Sequence, residues 1–244
     1  MPPIDFKKVC HDYGTNRVLD NIDLGIDENK ITTVIGRSGC GKSTLLQMIN
    51  GLVEPSYGSI YVFNQKIDYR HIDKLRLNIG YSVQGTGLFP HMTVYENITI
   101  LARILKWEYT VIQKRMERLI NLVNLNMNYM KKYPYQLSGG EQQRVGICRA
   151  MMLNPKIFLL DEPFGALDVI TRNEIQKELL NLQVAEPRTI VLVTHDIDEA
   201  LKLGDKILIL HEGVVQQFSD RYDILKHPAN TIVKTYLQSY SGRN

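Results

Sequence analysis

Ile31-Thr32-Thr33-Val34-Ile35-Gly36-Arg37-Ser38-Gly39-Cys40-Gly41-Lys42-Ser43-Thr44 is the stretch that decides the fold. Its first part, apolar or β-branched throughout, predicts a buried strand that Gly36 ends, and a helix-like segment follows over 44–50. The residues between fit G-x-x-x-x-G-K-[ST]. In such a loop glycines let the backbone come close to a phosphate, and the amides at the helix start meet its negative charge.

Outward from this unit the pattern repeats. The apolar run 157–160 ends in Asp161 and Glu162, the run 189–193 ends at Thr194-His195-Asp196, and a further run, 206–210, follows a short helix-like segment. Short apolar strands alternating with helices imply a mainly parallel sheet covered on both faces, with ligands collecting outside the carboxyl ends of its strands. The polar motif residues stand at those ends. Between about 85 and 153 the strand pattern gives way to helix-like stretches such as 111–122 and 141–152, which predicts a helical lobe inserted into the α/β core. Near the start, 5–10, 18–24 and 59–63 read as strands of an antiparallel flank. Asn64 stands where a turn is expected, and asparagine tolerates the left-handed conformation such a turn needs.

Composition narrows the function classes. The chain has 244 residues, 44% apolar and 23% charged, enough to bury a core in one domain with two lobes. Its formal charge, 29 − 26 = +3, is too small a surplus to suggest a nucleic-acid footprint. No stretch approaches the ~20 apolar residues of a membrane span, and Met1-Pro2-Pro3-Ile4-Asp5 lacks a basic and apolar leader, so a cytoplasmic location is expected. Cys10, Cys40 and Cys148 are odd in number and far apart, which argues against disulfides and zinc. Cys40 admits two readings: a thiol beside bound phosphates whose pKa a helix start lowers, or a small residue tolerated in a tight loop.

The motif residues divide the chemistry. Lys42 is expected to reach the β- and γ-phosphates of a nucleotide, Ser43 to ligate Mg²⁺, and Thr44 to add a phosphate contact. Strand alternation points Asp161 and Glu162 in different directions, which suits two roles: Asp161 holding Mg²⁺ through water, Glu162 taking a proton from, or orienting, an attacking water. Ser138-Gly139-Gly140 precedes a helix beginning near Glu141, a second anion site of the same physical kind.

Three stretches together carry a resemblance: Gly36 to Thr44, Leu137-Ser138-Gly139-Gly140-Glu141-Gln142-Gln143-Arg144, and Leu159-Leu160-Asp161-Glu162-Pro163. The chain resembles an ABC-type ATP-binding subunit. The resemblance implies a head-to-tail dimer of two copies with ATP sandwiched between them. The nucleotide would touch Gly36, Arg37, Ser38, Gly39, Cys40, Gly41, Lys42, Ser43 and Thr44 of one copy and Ser138, Gly139, Gly140 and Glu141 of the other. Tyr13 resembles the aromatic residue that stacks on adenine, with a core tyrosine on a strand flank as the alternative. Gln84 resembles the glutamine that touches Mg²⁺ and water, His195 the histidine at the γ-phosphate, and Asp168 the dimer-contact loop, where many relatives have Ser in place of Gly165. His11, His71, His91, His211 and His227 receive no role.

The resemblance also implies an ATPase of P-loop NTPase fold. Its RecA-like core would cover about 1–84 and 154–218, its helical lobe about 85–153, and a C-terminal helical tail about 219–244. Gly87-Leu88-Phe89-Pro90-His91-Met92-Thr93-Val94, Asp161-Glu162-Pro163-Phe164-Gly165-Ala166-Leu167-Asp168, Thr194-His195-Asp196-Ile197-Asp198-Glu199-Ala200 and His227-Pro228-Ala229-Asn230 look like importer ATPases of the osmoprotectant group, for glycine betaine, carnitine or choline. Other importer subfamilies and exporters stay open as alternatives, and an ABC ATPase acting on nucleic acid is disfavoured. The implied partners are transmembrane permease subunits, met through 84–98 and adjoining helices, and indirectly an extracytoplasmic substrate-binding protein. The chain would be peripheral on the cytoplasmic face of the membrane. Many relatives carry a pair of regulatory modules after the ATPase, so any ionic-strength sensing is expected to reside elsewhere.

Overall fold

The computed structural model describes residues 2–85 and 87–241. Residues 242–244 of the expected tail, and residue 86 of the expected permease-facing segment, lie outside the described residues. The chain groups into two compact units, Met1–Arg76 with Thr189–Asn244, and Leu77–Arg188. Residues 77–84 and 154–188 therefore group with the helices of 85–153.

The first unit opens with β1 (Ile4–Tyr13), β2 (Asn16–Ile26), β3 (Ile31–Ile35), α1 (Lys42–Ile49), β4 (Tyr57–Val62), β5 (Gln65–Lys66) and α2 (Asp73–Arg76). β1 pairs antiparallel with β2 and β4, Ile4 facing Ile26 on one side and Val62 on the other, which forms the expected antiparallel flank. Burial alternates along β1 through Ile4 and Phe6, then slips at Lys8, a left-handed residue (φ 48°) within a register shift, and resumes at Val9 and His11. The β4–β5 turn places Phe63 and Asn64 at φ 51° and 64°, the backbone a two-residue hairpin requires.

The second unit holds β6 (Ile79–Ser82), α3 (Val94–Ile104), α4 (Tyr109–Leu122), α5 (Gly139–Met151), β7 (Ile157–Asp161) and α6 (Val169–Ala185). β6 and β7 are parallel, with Ile79 opposite Ile157 and Ser82 opposite Leu160. α4 buries Ile112, Met116, Leu119 and Ile120, one face of a 3.6-residue period. α3 starts in a capping box, Thr93 accepting from the Glu96 N–H while Glu96 accepts from the Thr93 N–H. A cluster of three arginines around one carboxylate closes this unit. Glu186, almost buried, receives Arg115 at 2.7 Å, Arg118 at 2.6 Å and Arg188 at 2.7 Å. Burial raises the Glu186 carboxyl, but the hydrogen bond and charge of Arg115, with Arg118 and Arg188 beside it, outweigh that and hold it below the ordinary range. Its stabilisation is therefore fully present above the unfolded glutamate value of about 4.3 and is lost as pH falls through the folded value. Melting temperature should drop with acid over that window, and Glu186→Gln should flatten that part of the curve while lowering stability at pH 7.

The chain then returns to the first unit as β8 (Thr189–Thr194), α7 (Ile197–Leu203), β9 (Lys206–His211), β10 (Val214–Asp220), α8 (Arg221–Lys226) and α9 (Thr231–Ser241). β3 lies between β8 and β9, parallel to both, with Ile31 opposite Ile190 and Thr32 opposite Lys206. β3 and β8 are buried at every residue, as the unbroken apolar runs predict. β10 adds an antiparallel strand on β9 that the sequence reading did not include. α7, α8 and α9 pack on this sheet through Ile197, Leu201, Ile224 and Val233 against Ile35, Ile207 and Ile209.

Candidate nucleotide site

In the first unit, β3 delivers the chain to the phosphate loop and α1 receives it. A Cβ on Gly36 would run into the Leu210 carbonyl and the Cys40 sulfur, and one on Gly41 (φ 101°) would meet Leu19 Cδ2 at 2.6 Å. The loop is thus packed on its underside and can be built only with these glycines. Gly41 caps α1 without a side-chain bond, and the first turn carries no acidic residue. A helix start left so is an anion site by its own amides and dipole. Lys42, only 5% exposed, donates from Nζ to the carbonyls of Gly36 (2.8 Å) and Arg37 (2.9 Å). Thr44 is buried, Ser43 half-buried, and Arg37, Ser38 and Gly39 are exposed at the loop crest.

Cys40 is buried in the loop. Burial raises its thiol above the usual value, outweighing the nearby Lys42 charge and the amide of the helix start. The helix start thus lowers this thiol less than burial raises it, and Cys40, 7% exposed, fits a small residue packed in a tight loop.

His195 is exposed immediately after β8, and the neighbouring Asp196 caps α7 by accepting the Asp198 N–H at 2.8 Å. Tyr13 ends β1 with 51% of its surface exposed and its ring edge-on to His11, centroids 4.5 Å apart. That exposure removes the core-tyrosine alternative.

The second unit gathers the acidic residues. Asp161 is the last residue of β7 and 4% exposed. The Tyr81 hydroxyl on β6 bonds it, and burial, then the Asp161 charge, pushes that phenol up to about 12. Glu162 follows with φ 45°, a left-handed backbone that costs a non-glycine residue on the order of 1 kcal/mol or more. Asp161 is thus buried at the strand end while Glu162, half-buried, stands in the turn that follows it. Gln84, exposed just after β6, donates from Nε2 to Glu162 Oε2 at 3.4 Å.

Ser138 caps α5. Its hydroxyl accepts the Glu141 N–H at 3.3 Å and Glu141 Oε2 accepts the Ser138 N–H at 2.7 Å, a reciprocal box spelled S-x-x-E in the sequence. Burial raises the Glu141 carboxyl, but the Ser138 amide and the Tyr129 and Ser138 hydroxyls outweigh it and lower the net value. Gly139 is exposed, and a Cβ on Gly140 would run into Thr171 of α6. Asp168 caps α6, accepting from the Ile170 and Thr171 amides at 3.0 Å and the Thr171 hydroxyl at 2.7 Å. Tyr236 also belongs to the loop: its hydroxyl accepts the Arg37 N–H at 3.0 Å, and a contact spanning 199 positions leaves no local signal in the sequence.

A phosphate loop on a parallel strand, a second capped helix start, and a buried aspartate followed by a glutamate at a strand end define a P-loop nucleotide-binding protein of α/β class. The family model described as ABC transporter matches residues 19–165, and the chain belongs to that family. It is 44% identical to the carnitine transport ATP-binding protein OpuCA of Listeria monocytogenes, over 96% of this chain and 59% of that protein. It is 41% identical to the glycine betaine uptake system ATP-binding protein YehX of Escherichia coli (strain K12), over 96% of this chain and 76% of that one. The chain thus spans less than two thirds of the OpuCA relatives' length. Among solved structures it superposes, with TM-score 0.81 and 34% identity over 89% of this chain and 98% of the other, on the ATP-binding cassette MJ0796 in a dimeric post-hydrolysis state bound to ADP and Pi.

Proposed function

We propose that this chain is the ATP-hydrolysing motor subunit of an ABC importer for small osmoprotectants such as glycine betaine, carnitine or choline. The observation that carries the reading is the completeness of the reacting set: an uncapped helix start with a buried lysine, a buried strand-end aspartate, and a glutamate held by Gln84. A regulatory module that only binds nucleotide would be expected to lack one of these. The names of the relatives supply the cargo class.

In this reading Lys42 and the amides of the α1 start bind the β- and γ-phosphates, and Tyr13 presents its exposed ring to adenine. Glu162 orients the attacking water and takes its proton; Gln84, bonded to that carboxylate, holds it in place. His195 contacts the γ-phosphate. Oxygen donors suit Mg²⁺, which is commonly held by one or two protein groups together with nucleotide phosphates. Ser43, Gln84 and, through water, Asp161 would hold it, and it would neutralise charge on the transferring phosphoryl group. A second copy would contribute Ser138, Gly139, Gly140 and Glu141 to the nucleotide, with Asp168 at the contact, as the dimeric state of MJ0796 supports.

No helix among the described residues is long and apolar enough to cross a membrane. In this reading cargo passes through permease subunits that hold the chain on the cytoplasmic face, as the transport names of the relatives support. Phe89, Ile104 and Tyr109 expose apolar surface in the second unit and suit that docking. Purified protein should release phosphate from ATP only with Mg²⁺, stop on chelation, and self-associate when ATP is bound but not hydrolysed. Hydrolysis without self-association would contradict the sandwich.

A further inference from the structure

α9 reaches the phosphate loop through the Tyr236 side chain. The Arg37 N–H donates to Tyr236 Oη at 3.0 Å, while the Arg37 carbonyl accepts from Lys42 Nζ at 2.9 Å and from the Cys40 N–H at 3.3 Å. Residue 37 is therefore gripped from both ends, by the C-terminal helix on one side and by the phosphate-seeking lysine on the other. The grip is firm because α9 is fixed. Val233 is fully buried in the cluster with Ile35 and Ile209, and Tyr236 and Leu237 pack against the same cluster. The Asn230 side chain accepts the Val233 N–H at 3.0 Å and donates to Gln216 of β10 at 3.0 Å, which pins the helix start to the sheet. The Tyr236 ring also stands edge-on to His211, which ends β9, with centroids 6.4 Å apart.

We propose that Tyr236 is a positioning residue for ATP binding: its hydroxyl fixes the Arg37 backbone, and through it the carbonyl that holds Lys42 ready for the nucleotide phosphates. This rests on the reading of 36–44 as the nucleotide loop. Burial raises the Tyr236 phenol, so it stays protonated and its oxygen serves as a steady acceptor. A cavity of about 340 Å³ lined by Arg37, His211, Ile232, Thr235 and Tyr236 adjoins the contact. Water can enter there when the hydroxyl is removed, so Tyr236→Phe should fold normally while the loop loses its anchor.

The test compares wild type, Tyr236→Phe and Lys42→Ala, full length. Arg37 amide exchange in the nucleotide-free protein, followed by NMR, reads the contact alone; ATP binding and steady-state hydrolysis read its consequence. In Tyr236→Phe, Arg37 exchange should accelerate and both Kd and KM for ATP should rise about three- to tenfold, the size of one lost hydrogen bond, with kcat and melting temperature held. Unchanged Arg37 exchange would overturn the contact, and faster exchange with unchanged ATP affinity would overturn the positioning role. Wild-type ATP affinity in Lys42→Ala would overturn the nucleotide-loop reading itself, and this inference with it. Should Tyr236→Phe melt lower than wild type, Arg37 exchange and ATP affinity are compared again at a temperature where both proteins are fully folded; equal ATP affinity there would also overturn the proposal.

Discussion

Glu162→Gln should lower ATP hydrolysis by roughly 10²–10⁴-fold, the range a positioned general base supplies, while ATP binding and self-association persist. The substitution keeps the shape of the side chain and one oxygen that can still accept from Gln84 Nε2, now 3.4 Å from Glu162 Oε2. What it removes is basicity. Glu162 is held in a left-handed conformation directly after β7, and Asp161 beside it stays buried at the strand end, so the neighbouring carboxylate is not free to swing into the vacated role. Phosphate release and nucleotide binding measured on the same preparations separate the two effects. Turnover equal to wild type would take Glu162 out of the chemistry, and lost ATP binding would assign it to affinity instead.

Glu178→Ala should destabilise the second unit by roughly 3–5 kcal/mol, the cost of breaking a buried ion pair from one side. Arg144, the last residue of the Leu137 to Arg144 stretch, points from α5 to α6 and is gripped there. Its Nε reaches Glu178 at 3.0 Å and one of its terminal nitrogens reaches Glu178 at 3.1 Å and Glu174 at 3.1 Å. The Arg144 and Glu178 side chains are 11% and 7% exposed, whereas Glu174 is 58% exposed. Losing Glu178 leaves the guanidinium buried with only a wet partner, and leaves the Asn124 amide without the oxygen it meets at 3.2 Å. The double variant Arg144→Met with Glu178→Leu should recover most of the loss, since an apolar replacement of a buried pair is often near neutral. Denaturant melts of the two variants decide the matter. A loss under about 1 kcal/mol in Glu178→Ala would show the pair to be solvent-screened.

What is legible in the sequence depends on the range of each interaction. β3, β7 and β8 were legible because each is a run of apolar residues buried on both faces, and Asn64 because a turn needs a residue that accepts positive φ. The reciprocal caps at Thr93/Glu96 and Ser138/Glu141 are spelled locally as S/T-x-x-E, a signal that the motif and strand patterns read above leave out. β10 gave no signal: most of its residues are half-buried rather than alternating, because it lies antiparallel at the edge of β9. Three features depend on residues distant in the chain and could not be read from it: the Arg144–Glu178 pair, the Tyr236–Arg37 contact, and the burial that raises the Cys40 thiol. The left-handed turn at Glu162 lay hidden too, since a glutamate gives no warning of positive φ.

Transport itself is read by uptake of labelled glycine betaine, carnitine and choline at high osmolarity, in cells lacking other osmoprotectant carriers and carrying this chain with its permease. Wild type should accumulate at least one of the three, and Glu162→Gln at equal protein level should not. Accumulation that persists unchanged in Glu162→Gln, or that never appears with the wild type, would contradict the assignment of this chain as an osmoprotectant import motor.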